Sequence, residues 1–468
     1  MSDPRTARGA GLATTKDASP PYLVTALVLL GAIAISQAIP WASVSFAGNV
    51  PPLMAQLHPA VGPWLPLALI AVAAAYLVLP RALEWPRWAF LGTGIALGWL
   101  VAVALASEAH GLSAVATPFR SPLDYWASVP LVRSLGPRTF AEQFPHLAAR
   151  LALHARTHGP AAVLSLWVLA KIVGGNVLRV SLLVTLVGVA GMAATYAIAR
   201  ELASERAARL AALLFVCAPG VLLYSATSMD AVFMTVIACA LIALVRFPRS
   251  GAWAVAGGAL WALALSFTFG AAALGLLAVG IGIISVRGFG ARPGLPSGRL
   301  VVRGVLVCAG IVVGAILLWA LAGMNLLADF RAASHAHYQD PSRARPYVYW
   351  VFANIPAFLI VAGIPQAALA AHRCRLQWRA RDFGFETVLA ATLALSTLSG
   401  VFLGEVDHIW LFFIPPLAVV AGAALERVAD DPPPRGRVQG RPGAHVRGVV
   451  AAGLGQTLLM QALLYTYW

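Results

Sequence analysis

The sequence predicts an all-α fold, a polytopic bundle of about 13 transmembrane helices with one further helix that is re-entrant or interfacial. Three observations predict it. Of 468 residues, 60% are hydrophobic and only 11% charged, against roughly a quarter charged in an ordinary soluble domain. The mean hydropathy is +0.80. The apolar residues fall into about a dozen runs, each near the roughly 20 residues that carry a helix across a bilayer, where a helix satisfies its own backbone hydrogen bonds.

Residues 1–21 read as a cytoplasmic tail. The run Tyr22 to Ile39 lacks a small-x-small cleavage site and many more runs follow it, so it is expected to be a retained anchor rather than a signal peptide. Trp64 to Leu79 and Trp88 to Ala106 complete a first group of three spans within 22–107. Residues 108–176 are expected to form an outer loop with interfacial helices. The one apolar run there, Ala161 to Val173, is too short to cross and suits a helix that dips into the outer leaflet and returns. A core over 177–425 follows, with spans at Val180 to Ile198, Leu210 to Ala226, Ala231 to Val245, Ala252 to Phe267 and Gly270 to Val286. It continues through Gly304 to Met324, Trp350 to Ala371, Thr387 to Leu403 and Ile409 to Ala424, interrupted by a second outer loop at 325–349. The segment 426–448, rich in Pro, Arg and Gly, reads as a cytoplasmic linker. Val449 to Tyr465, within 449–468, is the expected last span.

Sidedness follows from the unfavourable translocation of Lys and Arg. With the amino terminus in the cytoplasm, 23 of the 33 basic residues lie inside and 10 outside. The expected location is therefore the plasma (inner) membrane, multi-pass, with the long loops extracytoplasmic. A net charge of +15 raises nucleic acid as a partner, but the basic residues are dispersed through short loops, so none is expected. Cys217, Cys239, Cys308 and Cys374 have unrelated spacings and no metal-binding pattern.

The outer loops hold nearly all the external ionisable groups. The first contains Ser-Pro-Leu-Asp124-Tyr125-Trp126, an amphipathic stretch through Arg133, Arg138 and Glu142, and Arg156-Thr157-His158-Gly159-Pro160 leading into the short apolar run. Further along come Arg200-Glu-Leu, Pro219 to Ser228-Met-Asp230, and Asp407-His408-Ile-Trp410 to Pro415-Pro416. In this order the motifs resemble the C-type, membrane-embedded glycosyltransferases, the protein O-mannosyltransferase and lipid A aminoarabinose transferase group (glycosyltransferase family 39). The resemblance covers roughly Pro122 to Leu425, and the two helices before Trp88 look like an addition. In that family a carboxylate ahead of a tyrosine opens the first large outer loop, and His-Pro-Pro starts the re-entering helix. Here Gly159 stands in that motif, His408 replaces the usual arginine, and Ser121 and Pro122 occupy the positions of the family's acidic pair.

The resemblance implies an inverting transfer of a sugar from a polyprenyl-phosphate donor to an envelope glycan, lipid or protein on the non-cytoplasmic face. Such chemistry needs a base for the acceptor hydroxyl and donors for the leaving phosphate. Asp124 is the preferred base, with Glu108 and Glu142 as substitutes, and its competing reading is a helix cap. Arg133, Arg138, Arg156, His158, Asp230, Glu405 and His408 are the candidates for donor phosphate or substrate binding. The competing reading is lipid-headgroup binding for the arginines, interfacial water at an outer helix edge for Asp230, and a solvated turn for Glu405, Asp407 and His408. No cofactor is assigned; a divalent metal at His335, His337 and Asp340 is the minority reading against polar loop residues. Tyr347, Tyr349 and Trp350 suit an interfacial belt around the membrane lipids. The rival readings are a transporter or flippase of a lipid-linked or anionic substrate, and a non-catalytic relative of the glycosyltransferases.

Overall fold

A computed structural model of the chain describes residues 20–39, 50–287, 294–430 and 443–466. Most of the amino-terminal tail, most of the expected linker and the loop around Arg292 lie outside the described residues. The helices in order are α1 (Tyr22–Gln37), α2 (Leu65–Ala82), α3 (Arg87–Ala106), α4 (Val129–Leu135), α5 (Pro137–Leu147), α6 (Leu153–Arg156) and α7 (Ala161–Val173). Then come α8 (Val177–Leu202), α9 (Glu205–Val216), α10 (Pro219–Tyr224), α11 (Asp230–Arg246), α12 (Gly251–Phe267), α13 (Leu274–Arg287) and α14 (Ser297–Ala322). The chain continues with α15 (Leu326–Tyr338), α16 (Tyr347–Ala362), α17 (Ile364–Ala380), α18 (Phe385–Leu398), α19 (Val406–Ile409), α20 (Ile414–Asp430) and α21 (Ala444–Leu463).

This is an all-α, multi-pass membrane protein. Among the described residues seven helices are long and apolar enough to cross a bilayer, or eight if the bent α16–α17 pair is one span. That is fewer than the expected 13, partly because the apolar helices α1, α12 and α18 have 14 to 17 residues. On α14 the side chains of Val301, Val305, Val312, Ile316 and Leu321 are exposed. A row of aliphatic groups along 26 residues of helix is tolerable only against lipid. The opposite face of α14 packs on α12 at a crossing of small residues: a Cβ on Gly258 would lie 2.0 Å from Val307 O, and one on Gly310 2.2 Å from Val255 O. Close backbone approach of this kind substitutes for a hydrophobic driving force that lipid does not supply.

Four departures from the expected pattern have local causes. The expected span Leu210 to Ala226 breaks into α9 and α10, because Pro219 has no N–H to continue the ladder and starts a new helix at its first position. Trp350 to Ala371 does not run straight: α16 and α17 meet at 115°. Gly363 adopts φ +107° there, a conformation that L side chains avoid, and Pro365 follows it. The second outer loop is built around the 13-residue helix α15, capped by Asn325 through Ala328 N. Finally, two short strands, β1 (Ala55–Leu57) and β2 (Leu464–Thr466), pair antiparallel with Leu57 opposite Leu464, tying the early and late parts of the chain together.

The segment 161–173 forms the expected short helix α7, closed by Gly174 in the left-handed region. The connections rich in arginine gather at one end: Arg246 and Arg249 both bind Glu201, and Arg209 donates to the carbonyls of Leu83 and Trp85. The segments 106–158 and 325–349 meet at the other end, since α11 runs from Asp230 at that end to Arg246 at the first.

Candidate active site

A cavity of about 1170 Å³ occupies that second end. Its lining is mostly apolar, with exposed Leu276, Phe330, Leu395 and Tyr465 among the residues around it. Five of the eight residues picked from the sequence line it: Asp124, His158, Asp230, Glu405 and His408. Three separate chain segments, around 124–158, at 230 and at 405–408, bring them there.

Asp124 precedes a 3₁₀ turn (Tyr125–Ser128) and is its cap, accepting from Trp126 N at 3.0 Å. The cap reading and the cavity placement hold together, since the bond to Trp126 fixes the carboxyl in the cavity wall. Burial pushes the Asp124 carboxyl up to about 7, opposed by the Trp126 and Tyr125 backbone donors and reinforced by the charge of Asp230. Of the substitute carboxylates, Glu108 accepts from Gly62 N and Glu142 pairs with Arg138 on an exposed helix face. Neither lines the cavity.

His158 ends the segment before α7. Its ring stacks on Phe233 (5.4 Å between centroids) and meets Tyr125 edge-on (5.5 Å). Nδ1 lies 3.0 Å from His154 O; a carbonyl only accepts, so the proton is on Nδ1. Burial lowers the His158 pKa, which keeps the ring neutral and leaves Nε2 as an acceptor. Gly159 is explained by contact: a Cβ there would lie 2.0 Å from Ser266 O, and Gly159 N donates to Phe267 O at 3.1 Å. A proline at this position has both the clash and the missing donor.

Asp230 begins α11. Its Oδ2 accepts from Ser228 Oγ at 2.7 Å and from His408 Nδ1 at 2.8 Å. His408 Nε2 stands 4.0 Å from Glu405 Oε2. Glu405 itself takes φ +61° and pairs with Arg345 at 2.7 Å. The expected solvated turn is therefore corrected: Asp407 and His408 are buried in the first turn of a helix, and Asp407 accepts from Met54 N and Tyr224 OH.

The arginines chosen from sequence fall elsewhere. Arg133 is exposed with its guanidinium 6.0 Å from the Trp126 ring, Arg138 binds Glu142 and Ala320 O, and Arg156 faces a neighbouring pocket. The guanidinium groups that do line the cavity are Arg120, exposed, and Arg345, whose side chain is 10% exposed. Neither was picked out, nor was His154, held down to about 4 chiefly by burial. Nothing in their spacing marks them. His335 and His337 project from different faces of α15, His335 into the neighbouring pocket and His337 with Asp340 into the cavity, because residues two apart on a helix do not face the same way. Among the described residues no group of three or more His, Cys, Asp or Glu is placed to hold a metal ion.

Fold and site together define a multi-pass helical membrane protein with a cavity at one end that combines carboxylates, imidazoles and an ion-paired arginine. The model of a family described as dolichyl-phosphate-mannose-protein mannosyltransferase matches residues 157–312, a third of the chain, starting next to His158. This agrees with the likeness to C-type glycosyltransferases carried by the motifs. No curated protein sequence matches the chain. Among solved structures it is similar to ArnT from Cupriavidus metallidurans bound to undecaprenyl phosphate, with TM-score 0.41 and 21% identity over 65% of this chain and 59% of that one. It is also similar to the archaeal oligosaccharyltransferase AglB from Archaeoglobus fulgidus in complex with an inhibitory peptide and a dolichol-phosphate, with TM-score 0.44 and 14% identity over 81% of this chain and 56% of that one. The chain thus matches under two thirds of the length of either.

Proposed function

We propose that this protein is a membrane-embedded glycosyltransferase that moves a sugar from a polyprenyl-phosphate donor to an acceptor hydroxyl on the non-cytoplasmic face. The observation that carries the reading is the convergence of Asp124 with the Asp230–His408 couple and the Arg345–Glu405 pair on one cavity with a largely apolar lining. The donor class comes from the motif resemblance and the family model.

In this reading the Asp124 carboxylate takes the proton of the acceptor hydroxyl as its oxygen attacks the anomeric carbon. The bond from that carbon to the phosphate oxygen breaks, and polyprenyl phosphate leaves with the electron pair. Attack from the face opposite the phosphate makes the transfer inverting. Arg345, with only part of its five N–H groups engaged by Glu405 and Leu403 O, and Arg120 at the rim hold the phosphate by charge-assisted hydrogen bonds. His408, oriented by Asp230, presents Nε2 to the same anion when protonated. His158, neutral and accepting at Nε2, orients a sugar or acceptor hydroxyl and has no part in holding the phosphate.

Transport is less well supported. Asp124, His158, Asp230, Arg345, Glu405 and His408 gather on one cavity at one end of the helices, whereas a transport path needs such groups along the spans. The test is transfer of radiolabelled sugar from a polyprenyl-phosphate donor into envelope fractions, with native protein and Asp124→Asn at equal expression. The reading predicts transfer lost in the variant; vesicle flux of the donor without covalent transfer would overturn it.

A further inference from the structure

A second cavity of about 540 Å³ opens beside the first. One wall is formed by the small side chains of Ala148 and Ala149. The other is a stripe of α15 and its C-cap, on which Arg331, His335 and the cap residue Gln339 recur every four residues and so stand on one face. Arg156 closes the inner end. It lines this pocket, while its ion partner Asp340 lines the main cavity, so the two spaces meet at that pair.

The pair is loose, at 3.5 Å, and the Arg156 side chain is 29% exposed, so Asp340 leaves part of the guanidinium free to meet an anion in the pocket it lines. No carboxylate lines the pocket. Two guanidinium groups and an imidazole therefore face a shared space from two directions, a donor set suited to the several oxygens of a phosphate.

We propose that this pocket binds a phosphate group of the acceptor, whose hydroxyl then reaches the main cavity past the Arg156–Asp340 pair. The word acceptor rests on the transferase reading; the binding of phosphate does not. A lipid headgroup and a soluble phosphorylated saccharide offer the same chemistry, and the test separates them.

The full chain in an uncharged detergent, its main cavity saturated with polyprenyl phosphate, is titrated with inorganic phosphate by calorimetry, beside the double variant Arg331→Gln/His335→Gln and, separately, Ala149→Glu. All three positions are exposed, so the fold tolerates the changes. Affinity is expected to fall about tenfold or more in both variants, the loss of charged hydrogen bonds in one and a repelling carboxylate in the other. Phosphate binding equal to native in either variant, or absent from the native chain, overturns the proposal and leaves the transferase reading standing. In phosphatidylcholine nanodiscs doped with phosphatidic acid, a fall in phosphate affinity that Ala149→Glu abolishes supports the proposal with a lipid headgroup as the source. Unchanged affinity there supports it with a soluble one. Native phosphate binding with no sugar transfer under any condition overturns the acceptor assignment alone.

Discussion

Replacing Asp124 by Asn removes the base while keeping the oxygen that accepts from Trp126 N at 3.0 Å, so the turn is retained and the chemistry is not. The size of the effect follows from the environment of the carboxyl. Burial raises it from 3.8 to about 7, and a base works only when ionised. The native rate should therefore fall as pH drops through about 7, with about a tenth of the carboxyl ionised one unit below and about nine tenths one unit above. Asp124→Asn should lower kcat roughly 10²–10⁴-fold and flatten that limb. Stability should move the other way. A carboxyl raised on folding stabilises the native state while protonated and loses that contribution as pH rises from about 4 through about 7. The roughly three-unit shift corresponds to about 4 kcal/mol at most. The Asn variant should accordingly unfold at a higher temperature than native at pH 8 and gain nothing near pH 4. Polyprenyl phosphate release across pH 5.5–8.5, with thermal unfolding in detergent, reads both. A variant with native turnover, or one dead yet still showing a limb near 7 in its residual rate, refutes the role.

Other expectations follow from the same geometry. Gly159→Ala should cost about 1–3 kcal/mol by overpacking against Ser266 O, and Gly159→Pro more, since it also removes the bond to Phe267 O; native thermal stability in Gly159→Pro would contradict the contact. Arg345→Gln should reduce kcat/KM for the donor about 10–100-fold, the worth of a charged hydrogen bond. Arg133→Gln and Arg138→Gln should stay within about twofold, because the exposed Arg138–Glu142 pair is worth under about 1 kcal/mol. Cysteines introduced at Ser121 and Ser342 in a background lacking the four native ones should react with an impermeant thiol reagent in intact cells; labelling only after permeabilisation reverses the proposed sidedness.

The sequence by itself determined that this is a helical membrane protein, where its short helix lies, and that carboxylates and imidazoles gather between the spans. The first two follow from composition and from the lengths of apolar runs, where each residue reports on its own solvent, and the third from the order of motifs that resemble the C-type glycosyltransferases. The short apolar segment 161–173 was visible by its length, and the acidic positions 124, 230 and 405 by their place in or beside those motifs. Tertiary structure alone decided which cations face the cavity. Arg133, Arg138 and Arg345 look alike in sequence, and only the packing of α15, α16 and the Glu405 turn puts Arg345 into the site. It also decided the 115° bend at Gly363 and the pairing of Asp230 with His408, 178 positions apart. The reason is physical: a helix's hydrophobicity is set residue by residue, whereas a hydrogen bond between spans depends on the crossing angles and close contacts of helices that no local pattern encodes.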